Sequence, residues 1–106
     1  MSEGAKGRRF TLQEGLARIP GPRGERFAGV FRHGSLEIEV YAPRREDPQG
    51  PHARDEAYVV VSGSGWFRHG EARDPFGPGD FLFVPAGLVH RFEDFTDDLA
   101  VWVIFY

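Results

Sequence analysis

Short alternating segments, separated by glycine and proline, constrain the fold of this chain more than any other feature. From residue 27 onward apolar and polar residues alternate, and turn-forming residues interrupt the alternation about every eight to twelve residues. The pattern predicts strands over residues 27–32, 36–42, 56–61, 66–69, 81–84, 89–95 and 99–105, with a weaker strand or a loop up to residue 76. Many short strands of this kind are typical of an all-β sandwich or barrel. The spacing alone does not choose between these two architectures.

A short helix is predicted ahead of the strands. Thr11 stands three residues before Glu14, which is the spacing of a capping box, and apolar residues then recur at helical intervals as far as Ile19. We expect a helix over about residues 11–18 whose apolar side docks on a sheet, because so short a helix is not stable alone. Residues 1–9 are small, charged and glycine-containing, so we expect them to be flexible.

Composition bounds the class of protein. At 106 residues the chain is large enough for one domain, and its 41% hydrophobic and 14% aromatic residues are typical of a compact fold. The absence of cysteine excludes disulfides and thiolate zinc sites, and it suits a reducing cytoplasm. A net charge of -3 without a basic block argues against a nucleic-acid partner, and no apolar run is long enough to span a membrane. We therefore predict a soluble, cytoplasmic protein.

Two separate stretches of the chain carry candidate metal ligands. The first stretch contains His52, Glu56 and Gly63, and the second contains Gly79, Pro85, Gly87 and His90. Two imidazoles and a carboxylate suit a divalent metal ion such as Fe, Mn, Ni or Zn. The glycines and the proline supply tight turns that would bring the three side chains together, because turns need positive φ.

Each of the three candidate ligands also has a purely structural explanation. His52 can be a loop histidine among charged neighbours such as Arg54. Glu56 can form an ion pair with Arg54 or Arg91 at the end of a strand, and His90 can cap the preceding turn through a backbone hydrogen bond. The chemistry of the residues alone leaves these alternatives open.

The spacing of the two stretches resembles the two sequence motifs of the cupin superfamily, and the resemblance covers most of the chain. In the first stretch, Glu56 and Gly63 have the spacing of the first cupin motif, and His52 occupies the position of its second histidine. The second stretch matches the second motif at all four of its named residues, with Asp94 where asparagine is usual. Gly50 stands where the first histidine is usual, so one of the four usual metal ligands is absent.

The resemblance implies a fold and a set of metal ligands. The implied fold is an all-β, cupin double-stranded β-helix (a jelly-roll barrel) over residues 27–106, within a single domain of residues 1–106 that begins with the short helix. The implied metal ligands are His52, Glu56 and His90.

Further residues complete the predicted site. Asp47 or Gln49 could take the place of the absent histidine as an additional ligand, and water could do so equally well. Strand alternation predicts that other side chains point inward beside the ligands, namely Tyr58, Val60, Phe92 and Asp94. Tyr58 is then a candidate proton donor or orienting group. Tyr58 and Phe92 can equally be core residues, and Asp94 can orient a ligand histidine or simply be solvated.

The resemblance implies a small organic molecule bound inside the barrel, and two kinds of function follow. Two histidines and a carboxylate resemble the ligand set of Fe(II) oxygenases, so a metal-dependent dioxygenase is the first hypothesis and an isomerase is a related one. A non-catalytic module that binds a small ligand is the alternative, and the glycine at position 50 favours it.

The last predicted strand is apolar on both of its faces. One face carries Leu99, Val101, Val103 and Phe105, and the other carries Ala100, Trp102, Ile104 and Tyr106. One of these faces can meet the interior, and the outer one needs a cover, which is either the N-terminal helix or a second subunit. We predict a symmetric homodimer, because two-fold pairs are the commonest soluble oligomers.

Overall fold

The computed structural model describes residues 6–48 and 50–106. Within these ranges the chain forms one short helix and eight strands, which confirms the predicted all-β class with an N-terminal helix. The elements are α1 (Leu12–Leu16), β1 (Phe27–His33), β2 (Leu36–Tyr41), β3 (Glu56–Ser62), β4 (Gly65–His69), β5 (Ala72–Phe76), β6 (Phe81–Val84), β7 (His90–Glu93) and β8 (Ala100–Phe105). Two predictions fall outside the described residues. One is the flexibility of residues 1–5, and the other is the additional ligand Gln49.

The strands form two antiparallel sheets that face each other. The larger sheet has the order β1-β2-β8-β3-β6, and the smaller sheet has the order β5-β4-β7. The residues described here show no ladder that joins the two sheets into a closed barrel, so the expected barrel is an open one. In the same part of the chain, no helix is long and apolar enough to cross a membrane.

The helix α1 begins and docks as its sequence predicts. The hydroxyl of Thr11 accepts a hydrogen bond from the backbone N–H of Glu14 at 3.2 Å, which satisfies one of the free donors at the start of the helix. Gly15 is buried against Val40 of β2, and a side chain at this position would collide with Val40. The helix therefore covers the outer face of the larger sheet at β1 and β2.

Aromatic side chains fill the space between the two sheets. Tyr58 of the larger sheet contacts Phe67 and Phe92 of the smaller sheet, with ring centroids 6.0 Å and 5.0 Å apart. All three side chains are buried, together with Val60 and other apolar residues. The core thus lies between the sheets, where burial of large aromatic rings stabilises the fold.

The turns of the two motif stretches have the backbone geometry that their glycines predict. Gly63, Gly79 and Gly87 have φ angles of 88°, 88° and 80°, a region that residues with a side chain rarely adopt. At Gly63 the fit is also close, because a Cβ atom would lie 2.5 Å from the Cα of Leu99. These turns return each strand so that both stretches reach the same end of the molecule.

Candidate metal centre

Glu56 lies at the start of β3, in the middle of the larger sheet. It pairs with Val84 of β6 on one side and with Phe105 of β8 on the other. The residue is fully buried, and neither carboxylate oxygen has a hydrogen-bond partner among the described residues. A buried carboxylate without a partner is costly, by several kcal/mol, so its position requires an explanation.

His90 lies at the start of β7 and faces Glu56 across the space between the sheets. Its Nδ1 donates to the carbonyl of Leu88 at 2.9 Å, which turns Nε2 toward the carboxylate. Nε2 lies 2.8 Å from Oε1 of Glu56, without the alignment of a hydrogen bond, and 3.0 Å from the hydroxyl of Tyr58. The imidazole is therefore held in one orientation, with Nε2 directed at the candidate metal position.

Opposing effects act on the pKa of His90. Burial lowers the pKa, whereas the contact with the Glu56 carboxylate and the hydrogen bond to the Leu88 carbonyl raise it, and the charge of Asp47 adds to the increase. The pKa is raised overall. The negative charge of Glu56 thus favours a positive partner at Nε2, which can be a proton or a metal ion.

His52 reaches the same place from the loop before β3. The second motif holds this loop, because the N–H of Gly87 donates to the carbonyl of His52 and the N–H of Ala86 donates to the Asp55 carboxylate, both at 2.8 Å. Nε2 of His52 lies 3.7 Å from Oε1 of Glu56, and its side chain is 35% exposed. The turn of the second motif therefore positions the histidine of the first.

Together these residues form a group that could hold a metal ion, which is named the metal-ligand cluster below. Potential ligand atoms of His52, Glu56 and His90 all lie within 4.8 Å of one another. Ligand bonds of about 2.0–2.2 Å place two ligands of one ion at most about 4.4 Å apart. The distances from Oε1 of Glu56 to Nε2 of His52 and to Nε2 of His90, 3.7 Å and 2.8 Å, lie within this limit. The buried carboxylate of Glu56, which accepts no hydrogen bond among the described residues, supplies the charge that such an ion requires, so the residues fit a divalent metal.

The other predicted site residues lie in different surroundings. The carboxylate of Asp47 is buried outside the metal-ligand cluster, where it accepts hydrogen bonds from the Tyr41 hydroxyl at 2.5 Å and from the Phe92 N–H at 2.9 Å. Burial and this hydrogen bond with Asp47 raise the pKa of Tyr41. Val60 and Phe92 point inward and belong to the core between the sheets. Asp47 thus ties the loop before the cluster to strand β7.

The side chain of Asp94 does not point inward as strand alternation predicted. Asp94 was expected to point inward, but its side chain is 79% exposed and pairs with Arg73 at 2.7 Å. Strand β7 ends at Glu93, and Asp94 has a φ of 48°, so the alternation of side chains stops before it.

At Gly50 a Cβ atom would meet no heavy atom within 4 Å. The position where the cupin motif usually has a histidine is therefore open space.

A cavity of about 580 Å³ opens beside the metal-ligand cluster. His52 belongs to its lining, so the cavity meets the cluster at this residue. Its apolar lining includes Phe27, Tyr41, Val103 and Phe105. A concave site of this volume, with an apolar wall and a few polar groups, is typical of a pocket for a small molecule.

Glu39 is a residue of this cavity that the sequence pattern did not single out. The alternation in β2 places Glu37 and Glu39 on one face and assigns that face to water. The structure turns this face toward the cavity, because the opposite face carries Val40, which packs under α1. One sequence signal pointed in this direction. The last strand, β8, is apolar on both faces, and β2 pairs with it, so Val40 of β2 can belong to an apolar outer face of the sheet.

The comparison with protein families agrees with this architecture. The Cupin domain family matches residues 37–106, which is more than half of the chain, and the chain belongs to this family. An uncharacterized protein of Streptomyces coelicolor is 37% identical over 77 residues, which cover 71% of this chain and 73% of that protein. The prediction of a cupin fold is therefore confirmed.

Solved structures resemble the chain over most of its length. A "putative mannose-6-phosphate isomerase" from Ralstonia eutropha JMP134 has a TM-score of 0.69 and 28% identity, and the match covers 93% of this chain and 97% of that one. A cupin-2 domain protein from Rhodospirillum rubrum has a TM-score of 0.63 and 18% identity, which shows the fold alone. That match covers 74% of this chain and 57% of the other, so this chain spans little more than half of that protein.

Proposed function

We propose that this cupin binds one divalent metal ion through His52, Glu56 and His90 and uses it on a small organic molecule in the adjacent cavity. The observation that carries the proposal is the Glu56 carboxylate, which is buried between two histidines without a hydrogen-bond partner among the described residues. The ion would be Fe, Mn, Ni or Zn, since imidazole and carboxylate ligands suit these metals. When bound, it would supply Lewis-acid or redox chemistry beside the cavity.

The protein's own groups would then orient the ligand. The Tyr58 hydroxyl lies beside Nε2 of His90 and inside the core, so it is the candidate proton donor or orienting group at the ion. With three protein ligands, remaining coordination positions are left for water or the organic molecule. Asp47 and Gln49 stay proposals as additional ligands.

Metal analysis of the purified protein tests this proposal directly. We expect close to one equivalent of metal in the wild type and none in a His52→Ala/His90→Ala double variant. The matched control is a His33→Ala/His69→Ala double variant, because His33 is exposed and His69 pairs with the exposed Asp74. The proposal fails if the wild type takes up no metal, or if the control loses metal as completely as the double variant of the cluster.

Two reaction classes are proposed within this function. Two histidines and one carboxylate are the ligand set of Fe(II) oxygenases, so dioxygenase chemistry is the first. Isomerase chemistry is the second, because the Ralstonia eutropha protein, at 28% identity, bears that name. Oxygen uptake by the Fe(II)-loaded protein, screened with small organic compounds, supports the first class. Isomerisation of a small organic compound by the metal-loaded protein, without uptake of oxygen, supports the second and counts against the first.

A non-catalytic binding module is the second candidate function. The open space at Gly50, where the cupin motif usually has a histidine, is the observation that favours it. Protein that contains no metal but still binds small ligands in the cavity would support this function over the first. Stoichiometric metal together with turnover of any compound would exclude it.

We also propose that the protein forms a homodimer through the outer face of its larger sheet. Helix α1 covers β1 and β2, whereas Val61, Phe81 and Phe83 on the neighbouring strands β3 and β6 are 39%, 64% and 48% exposed. Exposed apolar groups on adjacent strands are typical of an interface. Light scattering should give the mass of a dimer for the wild type and of a monomer for Phe81→Glu. A monomeric wild type contradicts the proposal.

Two further predictions from composition stay predictions. They are the cytoplasmic location and the absence of a nucleic-acid partner.

A further inference from the structure

The charged groups that line the cavity are unbalanced. Among the described residues, four carboxylates line it against two guanidinium groups. Both guanidinium groups already have partners. Arg54 donates to Glu37 at 3.2 Å and lies over the ring of Phe105, and Nε of Arg26 donates to the carbonyl of Ala42 at 2.8 Å. The carboxylates of the lining therefore outnumber its arginines, and one of these arginines already forms an ion pair with a carboxylate of the lining.

Glu39 is the carboxylate of this lining that is best placed to bind a ligand. It is half-buried, and it makes no hydrogen bond or ion pair with any of the described residues. Its partners across the sheet are Gly29 of β1 and Val103 of β8. A Cβ atom at Gly29 would meet nothing within 4 Å, so there is free space beside the carboxylate. An acidic group in such a position can accept hydrogen bonds from a ligand.

The buried carboxylate of Glu56 adds negative charge close to the cavity. Its side chain is 1% exposed and lies 3.7 Å from His52, which lines the cavity. Sheet register places Glu56 and Glu37 on either side of Phe105, so Glu56 shares the face that lines the cavity. Negative charge is therefore present beside His52, next to the cavity, as well as on the wall of the cavity.

We propose that the cavity selects small molecules that carry a cationic nitrogen on an apolar body, and that Glu39 binds the cation. The apolar body would lie against Phe27, Val103 and Phe105, and the ammonium or guanidinium group would donate to Glu39. The proposal rests on the proposed function of the cavity as the ligand site and adds the class of ligand. Anionic ligands are disfavoured, because the carboxylates that line the cavity outnumber its arginines and repel negative charge.

Three probes of similar size test the proposal: 2-phenylethylammonium, 2-phenylethanol and phenylacetate. Binding to the full chain is measured by calorimetry with a chelator present, because a bound metal ion could itself ligate phenylacetate. We expect the ammonium to bind at least about tenfold more tightly than the alcohol, since hydrogen bonds to charged groups are the stronger ones. We expect phenylacetate to bind more weakly than both. Chemical-shift changes should fall on residues of the cavity.

Glu39→Gln is the decisive variant, and Glu71→Gln is its matched control in the exposed turn between β4 and β5. Glu39→Gln should fold, because burial and the charges of Glu37 and Glu56 raise the pKa of Glu39 and removal of its charge relieves this cost. The variant should lose the preference for the ammonium over the alcohol, and the control should keep it.

The outcomes separate this proposal from the metal function. Three results would overturn the inference, even where metal analysis supports the metal-ligand cluster. They are an unchanged preference for the ammonium in Glu39→Gln, binding of phenylacetate as tight as or tighter than that of the ammonium, and no saturable binding of any probe. Selective binding of the ammonium that depends on Glu39 supports the inference, even where the purified protein proves to hold no metal.

Discussion

The carboxylates at the two faces of the smaller sheet differ in the hydrogen bonds that they accept. On the inner face, His90 meets the buried Glu56 of the metal-ligand cluster, whose oxygens have no hydrogen-bond partner among the described residues. On the outer face, Glu93 accepts hydrogen bonds from Arg68 at 2.9 Å and from Arg73 at 2.8 Å. This group, named the arginine cluster, includes Arg68, Arg73, Glu93 and Asp94.

The two carboxylates differ in how the fold satisfies them. The two arginines lower the pKa of Glu93 through their hydrogen bonds, so this carboxylate already has its favourable partners within the fold. Exposed pairs of this kind contribute little to stability. Glu56 is buried beside two histidines but accepts no hydrogen bond among the described residues, which a folded chain tolerates where a ligand completes the site.

The largest effect should come from metal binding. Metal at about 1,000 times its dissociation constant should stabilise the wild type by about 4 kcal/mol, which corresponds to an increase in Tm of about 15 °C or more for a domain of this size. Glu56→Gln should weaken binding at least about 100-fold and so remove about 2.7 kcal/mol of this stabilisation. Thermal denaturation with and without metal measures both changes.

The arginine cluster supplies the control for this experiment. Glu93→Gln makes the same chemical change on the outer face and should retain the full increase in Tm. If both variants lose the same part of the increase, the contrast between the two faces is wrong.

The next effect concerns the hydroxyl that lies beside His90. Tyr58→Phe should destabilise the metal-free protein by about 1–2 kcal/mol, because Nε2 of His90 loses a buried hydrogen-bond partner. Urea denaturation gives this free energy of unfolding. Tyr106→Phe is the control, since Tyr106 is 53% exposed, and it should have no effect. Equal values for the two variants would show that the hydroxyl of Tyr58 contributes nothing at the cluster.

A smaller effect of opposite sign is expected at Glu39. Burial and the charges of Glu37 and Glu56 raise its pKa, against the effects of Arg54 and Arg32. The protonated form of Glu39 therefore stabilises the fold below the ordinary pKa of glutamate. This stabilisation is lost as the pH rises through the raised pKa. At neutral pH, Glu39→Gln should stabilise the metal-free protein by up to about 0.5 kcal/mol. At acidic pH the difference in Tm should vanish, and a constant difference would contradict the assignment.

The smallest effect should come from the arginine cluster. Because the pKa of Glu93 is lowered, its contribution is present above the ordinary pKa of glutamate and is lost as the pH falls through the lowered value. Glu93→Gln should reduce stability only slightly at neutral pH and low salt. At about 1 M salt the difference should disappear, because exposed charges are screened. A large loss that persists in salt would make this cluster a main stabiliser of the fold.

The parts of the fold that depend on neighbouring residues could be predicted from the sequence. Period-two alternation and glycines with positive φ predicted the strands and turns, because both depend on neighbouring residues. The division into two sheets was less accessible. Strand β8 pairs with β2 and β3, which are distant along the chain, so the strand order depends on long-range contacts. The family resemblance supplied what alternation could not.

The candidate site was accessible to a different extent. The spacing of the two motif stretches, through its resemblance to the cupin motifs, predicted that His52, Glu56 and His90 meet. Asp94 was placed inward because alternation was extended one residue beyond the end of β7. Glu39 was assigned to water because its strand has one acidic face, and only the packing of Val40 under α1 shows that this face lines the cavity.

An anomalous-scattering map of crystals grown with Mn(II) would show whether the metal-ligand cluster holds an ion. We expect one peak within about 2.0–2.2 Å of Nε2 of His90, a carboxylate oxygen of Glu56 and a nitrogen of His52. No peak at this place, with the Glu56 carboxylate instead hydrogen-bonded to a protonated His90, would contradict it.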